Sequence, residues 1–174
     1  MHPSERDEQF TAFVTARRAQ LRRTAYLLCG DWHQAEDLVQ MALAKVYVAW
    51  PRLNRDSTPD AFTRRTLIRT HIDETRRPWH RTRAAQELTD GPQPDGLAIE
   101  DRDALLSALR DLPDGQRRAV VLRHWLGLSV EETARDLGCS SGTVKSQTAR
   151  AVHRLREALG ESSPPQEDDY ERAR

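Results

Sequence analysis

Residues 129–159 constrain the fold of this chain most, because they combine two helical patterns with a tight turn between them. Ser129 and Glu132 have the spacing of a capping box, in which each side chain bonds the backbone N–H of the other residue at a helix start. Gly138 predicts the end of that helix, since glycine adopts the left-handed backbone conformation without steric cost. A short, sharply ended helix of this kind is typical of a helix-turn-helix.

A second helix is predicted after the turn, with Ser140 or Ser141 as its N-terminal cap. Its apolar residues recur at helical spacing and define a buried face. The opposite face is polar in the N-terminal half, where a recognition helix presents side chains to base edges and phosphates in a major groove. The outward residues there are Lys145, Ser146, Gln147 and Arg150. The pattern therefore predicts DNA binding.

The composition favours an all-α protein of one or two small domains. Of the 174 residues 37% are hydrophobic, which suffices for compact cores, and only 6% are aromatic. Good helix formers dominate, and runs of alternating β-branched residues are few. The sequence has no apolar window of about eighteen residues and no signal-peptide pattern, so we expect a cytoplasmic protein.

The sequence shows no pattern of catalytic or metal-binding residues. Cys29 and Cys139 stand alone, without a CxxC pair or a histidine at ligand spacing. We interpret them as structural thiols and expect no metal, no cofactor and no disulfide. The histidines lie without a neighbouring base or nucleophile, so the sequence predicts no catalytic set.

The charge is neutral overall but unevenly distributed. The chain has 27 basic and 27 acidic residues, yet residues 1–85 carry 15 bases against 10 acids. Residues 86–99 carry three acids and no base, and residues 161–174 carry five acids against two bases. This distribution suits a protein that contacts phosphates with some of its faces and repels them with others.

Two helical patterns occupy the first fifty residues. The first covers residues 8–28 and ends at Gly30. Asp31 caps the second, whose broad apolar face continues for about twenty residues. Proline lacks a backbone N–H, so Pro51 predicts the end of this helix and residues 51–57 a loop.

A third helix is predicted from Asp60 to about Arg77, after the capping pair Thr58 and Pro59. Arginines share one side of this helix and apolar residues share another. The arginines are Arg65, Arg69 and Arg76, and the apolar residues are Ala61, Ile68 and Ile72. Asp73 is four residues from Arg69 and from Arg77, which predicts helical ion pairs. The basic run RRPWHRTR that follows fits either nucleic-acid binding or a solvated helix end.

Composition divides the chain into two modules. Residues 83–99 contain prolines and glycines and show no sustained hydrophobic periodicity. This composition predicts a flexible linker. We therefore expect domains at residues 1–82 and 100–160, the second with two further helices that support the helix-turn-helix. Residues 161–174 are acidic and poor in apolar residues, and we expect a disordered tail.

Three stretches in this order resemble an extracytoplasmic-function sigma factor of the sigma-70 family, of the SigE-like actinobacterial type. They are AEDLVQMALAKVYVAW at 35–50, DAFTRRTLIRTHIDETRR at 60–77 and DLPDGQRRAVVLRHWLGLSVEETARDLGCSSGTVKSQTARAVHRLRE at 111–157. The resemblance covers residues 8–159. It implies a region 2 bundle of three to four helices at residues 1–82 and a region 4 helix-turn-helix at residues 100–160.

The resemblance also implies site residues and partners. For binding core RNA polymerase it implies Glu36, Asp37, Leu38, Val39 and Gln40. For the minus-ten promoter element it implies Asn54, Asp56, Arg65, Arg69, Arg76 and Arg77. For the minus-thirty-five element it implies Ser141, Thr143, Lys145, Ser146, Gln147 and Arg150. The implied partners are promoter DNA, the clamp helices of the largest polymerase subunit and the flap of the second-largest, with an anti-sigma factor as a further candidate.

The sequence also permits other roles for residues 36–39 and other functions for the whole chain. Leu38 and Val39 can instead belong to the core, with Glu36 and Asp37 merely favouring a helix N-terminus. For the whole chain, a sigma subunit without covalent chemistry is the leading hypothesis. A stand-alone dimeric regulator would instead bind palindromic half-sites about one helical turn apart without polymerase. An enzyme hidden in the N-terminal half is the third hypothesis.

Overall fold

The computed structural model describes residues 3–56, 58–77 and 99–160, with side chains for 5–53, 58–77 and 102–160. Within these ranges all regular secondary structure is helical, which confirms the all-α prediction. The helices are α1 (Pro3–Cys29), α2 (Trp32–Asp56), α3 (Pro59–Arg76), α4 (Ile99–Asp111), α5 (Asp114–Val120), a π-helical turn (Val121–Trp125), α6 (Val130–Leu137) and α7 (Ser141–Ala158).

Helices α1 to α3 form the N-terminal module around a shared apolar core. Leu38 and Leu67 bring α2 and α3 together against the inner face of α1. A second cluster centres on Trp50, whose ring lies edge-on to Phe10 with centroids 5.2 Å apart. As predicted, the backbone N–H of Gln34 donates to Asp31 Oδ1, at 2.8 Å, and caps the start of α2.

The predicted end of α2 at Pro51 is wrong, because the helix continues through Asp56. Proline at position 51 deprives the carbonyl of Tyr47, four residues earlier, of its helical donor. Arg6 supplies a replacement, since its Nη2 donates to that carbonyl at 2.8 Å. The additional turn also buries Leu53 against Trp50. A long-range side chain and apolar packing thus carry the helix past the proline.

Helix α3 begins close to its predicted position. Thr58 occupies the N-cap position and Pro59 the first turn, although the Thr58 side chain makes no capping hydrogen bond. Ile68 lies on the buried side and Arg69 on the exposed side, as the periodicity predicted. Arg77 pairs with Glu74 at 3.4 Å, and Asp73 forms neither of the two predicted ion pairs.

Helices α4 to α7 form the C-terminal module, whose helix-turn-helix has the predicted local structure. Ser129 and Glu132 make both hydrogen bonds of the capping box. Gly138 ends α6 with φ of 69°. Ser140, rather than Ser141, caps α7, since its Oγ accepts from the backbone N–H of Thr143 at 3.1 Å. The sequence did not predict the π-helical turn between α5 and α6.

The two modules pack directly against each other, which the sequence pattern did not predict. Leu28 of α1 is fully buried against Leu109 of α4 and against Leu112, which directly follows α4. Ile68 of α3 is fully buried against Leu122 and Leu128. The predicted linker lies outside the described residues apart from residue 99, where α4 begins, and so does the predicted tail at 161–174.

Candidate protein and nucleic-acid interfaces

One side of α2 points to solvent and combines polar with apolar side chains. We call this the α2 outer face; its members are Asp37, Gln40, Met41, Ala44 and Val48. Val48 is 76% exposed, and Met41 is also among the exposed large hydrophobic residues. Aliphatic side chains surrounded by charged and amide groups are typical of a protein interface with an apolar centre and a polar rim.

Of the five residues predicted to bind a partner, two point inward from α2 and a third, Glu36, is half-buried. Leu38 and Val39 are 3% and 0% exposed and belong to the module core, which corrects their assignment to a contact surface. Asp37 and Gln40 are exposed as predicted. The same periodicity also places Met41 and Val48 on the same face of the helix as Asp37, and this signal was available in the sequence.

Glu36 is half-buried and pairs with two arginines of α1. Arg18 Nη2 lies 2.7 Å from Glu36 Oε1, and Arg22 Nε lies 2.6 Å from Oε2. The hydrogen bond from Arg18 lowers the pKa of the Glu36 carboxyl, partial burial opposes this, and the charge of Arg22 adds to it. The carboxylate therefore links α1 to α2, and both of its oxygens are already paired with arginines.

The arginines predicted to contact DNA from α3 and from its C-cap residue, Arg77, fall into two groups. Arg69, Arg76 and Arg77 are exposed, so they form an open basic face. Arg65 instead reaches the C-terminal module, where its Nε lies 3.2 Å from Asp136 Oδ1. The sequence pattern did not identify Asp136 as a partner, because the contact joins residues of different modules.

Two further sets of residues in α2 bear on the proposed contact with the minus-ten element. Asn54 and Asp56 lie in the last turn of α2, but their side chains are outside the described residues. Lys45 of α2 was not predicted to contribute, yet its Nζ donates to Thr70 Oγ1 at 3.0 Å. This hydrogen bond brings one more cation next to α3.

Helix α7 presents the predicted polar face. Val144 and Ala151 are fully buried and orient the helix on the C-terminal module. The exposed members are Thr143, Lys145, Ser146 and Arg150, whereas Ser141 and Gln147 are half-buried. The side-chain amide of Gln147 packs against the start of α5 at Gly115. The two are so close that a Cβ atom added to this glycine would lie 3.6 Å from Gln147 Nε2.

The cysteines show no reactive environment. Burial raises the pKa of the Cys29 thiol to about 12, and burial also raises that of Cys139. In the described part of the chain no three His, Cys, Asp or Glu residues are grouped in a way that could hold a metal ion. Among the described helices none combines the length and apolar character that crossing a membrane requires.

Family models match both modules. Residues 13–81 match the model of sigma-70 region 2, and residues 102–155 match that of sigma-70 region 4. The chain belongs to the sigma-70 family. Membership of its extracytoplasmic-function branch implies RNA polymerase binding and promoter-specific transcription initiation.

Individual sigma factors are similar over most of the chain. An RNA polymerase sigma-E factor of Streptomyces coelicolor is 41% identical over 87% of this chain and 86% of its own length. The ECF RNA polymerase sigma factor SigM of Mycobacterium tuberculosis is 34% identical over 81% of this chain and 72% of its own. Among solved structures, the sigma factor RpoE of Bartonella quintana, in complex with the anti-sigma factor NepR, has a TM-score of 0.74. It is 27% identical, and the match covers 90% of this chain and 99% of that one.

Proposed function

We propose that this sigma-70 family member docks on core RNA polymerase with the α2 outer face and recognises two promoter elements with α3 and α7. The observation that carries the proposal is that three chemically distinct faces remain open to solvent on a sigma-70 fold: the α2 outer face, the basic face of α3 and the polar face of α7. The protein itself would carry out no covalent step and would act in the cytoplasm, where core polymerase is found.

The α2 outer face suits the clamp helices of the largest polymerase subunit. Met41 and Val48 would be covered by apolar side chains of the partner, and Asp37 would pair with a basic one. Leu38 and Val39 support this surface from below by packing on α1 and α3. The C-terminal module would contact the flap of the second-largest subunit.

The basic face of α3 suits the minus-ten element during duplex opening. Separating bases costs a few kcal/mol, which binding of the single-stranded backbone can offset. Arg69, Arg76 and Arg77 would bind phosphates, and Arg65 would join them. Asn54 and Asp56 remain proposed contacts for an extruded base.

The polar face of α7 suits the minus-thirty-five element in a major groove. Lys145 and Arg150 would contact phosphates or guanine edges, and Thr143 and Ser146 would contact the backbone near the start of the helix. Ser141 and Gln147 would contribute less because they are half-buried. An anti-sigma factor is a further proposed partner, supported by the similarity to RpoE in its complex with NepR.

Run-off transcription with purified core polymerase tests the proposal. Core plus this protein should initiate at a promoter from the protein's own genome, whereas core alone should not. Asp37→Arg should abolish co-elution with core and reduce transcription at least tenfold, because it reverses the charge of the α2 outer face. Glu8→Arg is the matched control, since Glu8 is an exposed acid of α1. If the unmodified protein neither co-elutes with core nor initiates, the proposal is wrong.

A further inference from the structure

A cavity of about 320 Å³ lies where α1 and α3 meet the segment that follows the π-helical turn. Its volume is at the lower end of the range of about 300–1,000 Å³ that is typical of small-molecule sites. None of its lining residues belongs to the α2 outer face, to the exposed arginines of α3 or to the polar face of α7. The proposed contacts with polymerase and promoter DNA therefore leave this cavity unassigned.

One part of the cavity wall is apolar. Leu21 of α1 and Leu67 of α3 belong to the core of the N-terminal module, and Leu128 follows the π-helical turn. Leu67 and Leu128 are buried, and Leu21 is half-buried. An apolar group placed against these side chains would lose its contact with water, which is favourable. This part of the cavity therefore suits a hydrocarbon chain or ring.

The remaining wall is polar and connects the interior with solvent. Arg17 and Gln20 of α1 are exposed, whereas Thr24 and Thr63 are buried. Thr63 is 1% exposed, and its Oγ1 has no hydrogen-bond partner among the described residues. A buried hydroxyl without a partner destabilises a fold, and a ligand oxygen that accepts a hydrogen bond from it would remove this cost. Thr63 is one turn from Leu67 on the same face of α3, so this donor lies close to the apolar wall.

Arg64 supplies the positive charge of the cavity. Its Nε lies 2.7 Å from Asp136 Oδ2, and no acceptor for its two Nη nitrogens lies among the described residues. Asp136 also pairs with Arg65, so two guanidinium groups share one carboxylate. Glu132 interacts electrostatically with both Arg64 and Arg135. This group of side chains therefore has one positive charge in excess, and Arg64 presents it to the cavity.

Arg17 and Asp60 add no net charge to the cavity, because they pair with each other. Arg17 Nε lies 2.6 Å from Asp60 Oδ1, and Arg17 Nη2 lies 3.0 Å from Oδ2. Hydrogen bonding from Arg17 lowers the pKa of Asp60, so this carboxyl is ionised and paired at neutral pH. A single anionic group would therefore balance the charge that Arg64 presents.

We propose that this cavity binds a small monocarboxylate with an apolar body. The apolar body contacts the three leucines, and the carboxylate accepts hydrogen bonds from Arg64 Nη and Thr63 Oγ1. Charge-assisted hydrogen bonds of this kind are stronger than neutral ones. A dianion fits less well, because only one positive charge is in excess and Asp60 lines the same cavity. The site does not depend on the proposed function, since it uses none of the proposed polymerase or DNA contacts.

Calorimetric titration of the full chain tests the site, with octanoate as the probe. Octanoate should bind with a Kd below about 1 mM. The uncharged 1-octanol and the cationic octylamine have the same hydrocarbon chain, and both should bind at least about tenfold more weakly. Absence of saturable octanoate binding, or equal affinity for octanoate and 1-octanol, would overturn the proposal.

Two substitutions remove the proposed polar contacts. Arg64→Gln should weaken octanoate binding at least about tenfold, and Thr63→Val, which keeps the shape of the side chain, should weaken it at least about threefold. Arg65→Gln is the matched control, because Arg65 pairs with the same carboxylate of Asp136 but does not line the cavity. Its affinity for octanoate should stay within about threefold of the parent. Circular dichroism checks the fold of each variant, and Thr63→Val decides if Arg64→Gln does not fold.

Amide NMR spectra of the parent locate the site without any substitution. Octanoate should shift the resonances of residues 20–24, 63–67 and 126–128 and leave those of residues 154–158 unchanged. Shifts confined to other parts of the chain would place binding elsewhere and overturn the proposal, as would equal losses of affinity in Arg64→Gln and Arg65→Gln. Neither polymerase nor DNA is present in these titrations, so their failure leaves the proposed function standing, and failure of run-off transcription leaves the octanoate site standing.

Discussion

Glu36 shows how one residue can match a family pattern and yet pair with side chains of its own chain. The resemblance placed it in the polymerase-binding set, but Arg18 and Arg22 hold its carboxylate at 2.7 and 2.6 Å. Its neighbour Asp37 is exposed. Adjacent residues on a helix point about 100° apart, so the register of α2 decides which acid a partner can reach.

Replacing Glu36 should change how stability depends on pH. The pKa of Glu36 lies below its ordinary value of 4.5 in the folded protein, mainly because Arg18 donates to it. Its contribution is therefore present above that ordinary value and is lost as the pH falls through the lowered pKa. Glu36→Gln should lower the melting temperature by about 1–3 °C at pH 7. The difference should shrink as the pH falls below 4.5 and disappear once the carboxyl is protonated in the folded protein as well.

Thermal unfolding followed by circular dichroism at several pH values measures this effect. Glu8→Gln is the control, since Glu8 is exposed and has no ion pair within the described part of the chain. A difference between Glu36→Gln and the parent that persists unchanged at acid pH would contradict the role of the carboxylate charge.

Lys145 should contribute to DNA binding mainly through phosphate. It is exposed near the N-terminus of α7, and a lysine contacts phosphate as a point charge. Lys145→Ala should weaken promoter binding by the holoenzyme to a similar degree for different minus-thirty-five sequences. In a plot of the logarithm of the binding constant against the logarithm of the salt concentration, it should reduce the magnitude of the slope by about one. Binding titrations at several salt concentrations measure this, with Arg156→Ala, in the last turn of α7, as control. A loss confined to one promoter sequence would instead indicate base recognition.

At the scale of elements, the accuracy of sequence-based prediction depends on how local the responsible contacts are. The start and end of α6 were predicted because Ser129, Glu132 and Gly138 act within their own turns. The end of α2 was not, because the donor for the Tyr47 carbonyl is Arg6, forty-one residues away. The tendency of Pro51 to end a helix is overcome by this hydrogen bond and by the burial of Leu53.

Removing the Arg6 side chain should loosen the C-terminal end of α2. Besides its hydrogen bond, the guanidinium lies over the Tyr47 ring, 4.1 Å from the centroid. Arg6→Ala should cost about 1–2 kcal/mol in the free energy of unfolding. Amide hydrogen exchange should accelerate after Pro51 more than in the rest of α2. Gln9→Ala, also in α1, should neither lower the free energy of unfolding nor accelerate exchange after Pro51. Equal exchange rates in the two variants would refute this role of Arg6.

At the scale of the whole molecule, the modules share apolar contacts and should unfold together. Ile68 of the N-terminal module and Leu122 of the C-terminal module are both fully buried in one cluster. Unfolding either module exposes the contact surface of the other, which makes the transition cooperative. The separate helical bundles predicted from sequence are thus coupled in the unbound protein.

Leu128→Ala should uncouple the modules. Leu128 is 7% exposed in the cluster between them, and Leu43 is equally buried within the N-terminal core. Each change to alanine should cost about 2–4 kcal/mol through lost burial and a cavity. Calorimetry should show two transitions for Leu128→Ala and one for Leu43→Ala. A single transition in the Leu128 variant would argue against coupling through this cluster.

The sequence by itself determined the helices, the caps of the helix-turn-helix and the family, because these depend on periodicity and on contacts within a few residues. It also indicated which side of α7 faces solvent. Only the tertiary structure decided that Glu36 pairs with Arg18 and Arg22, that α2 continues past Pro51, and that Asp136 pairs with Arg64 and Arg65. Each of these depends on side chains far apart in the chain, whose meeting is determined by how the helices pack.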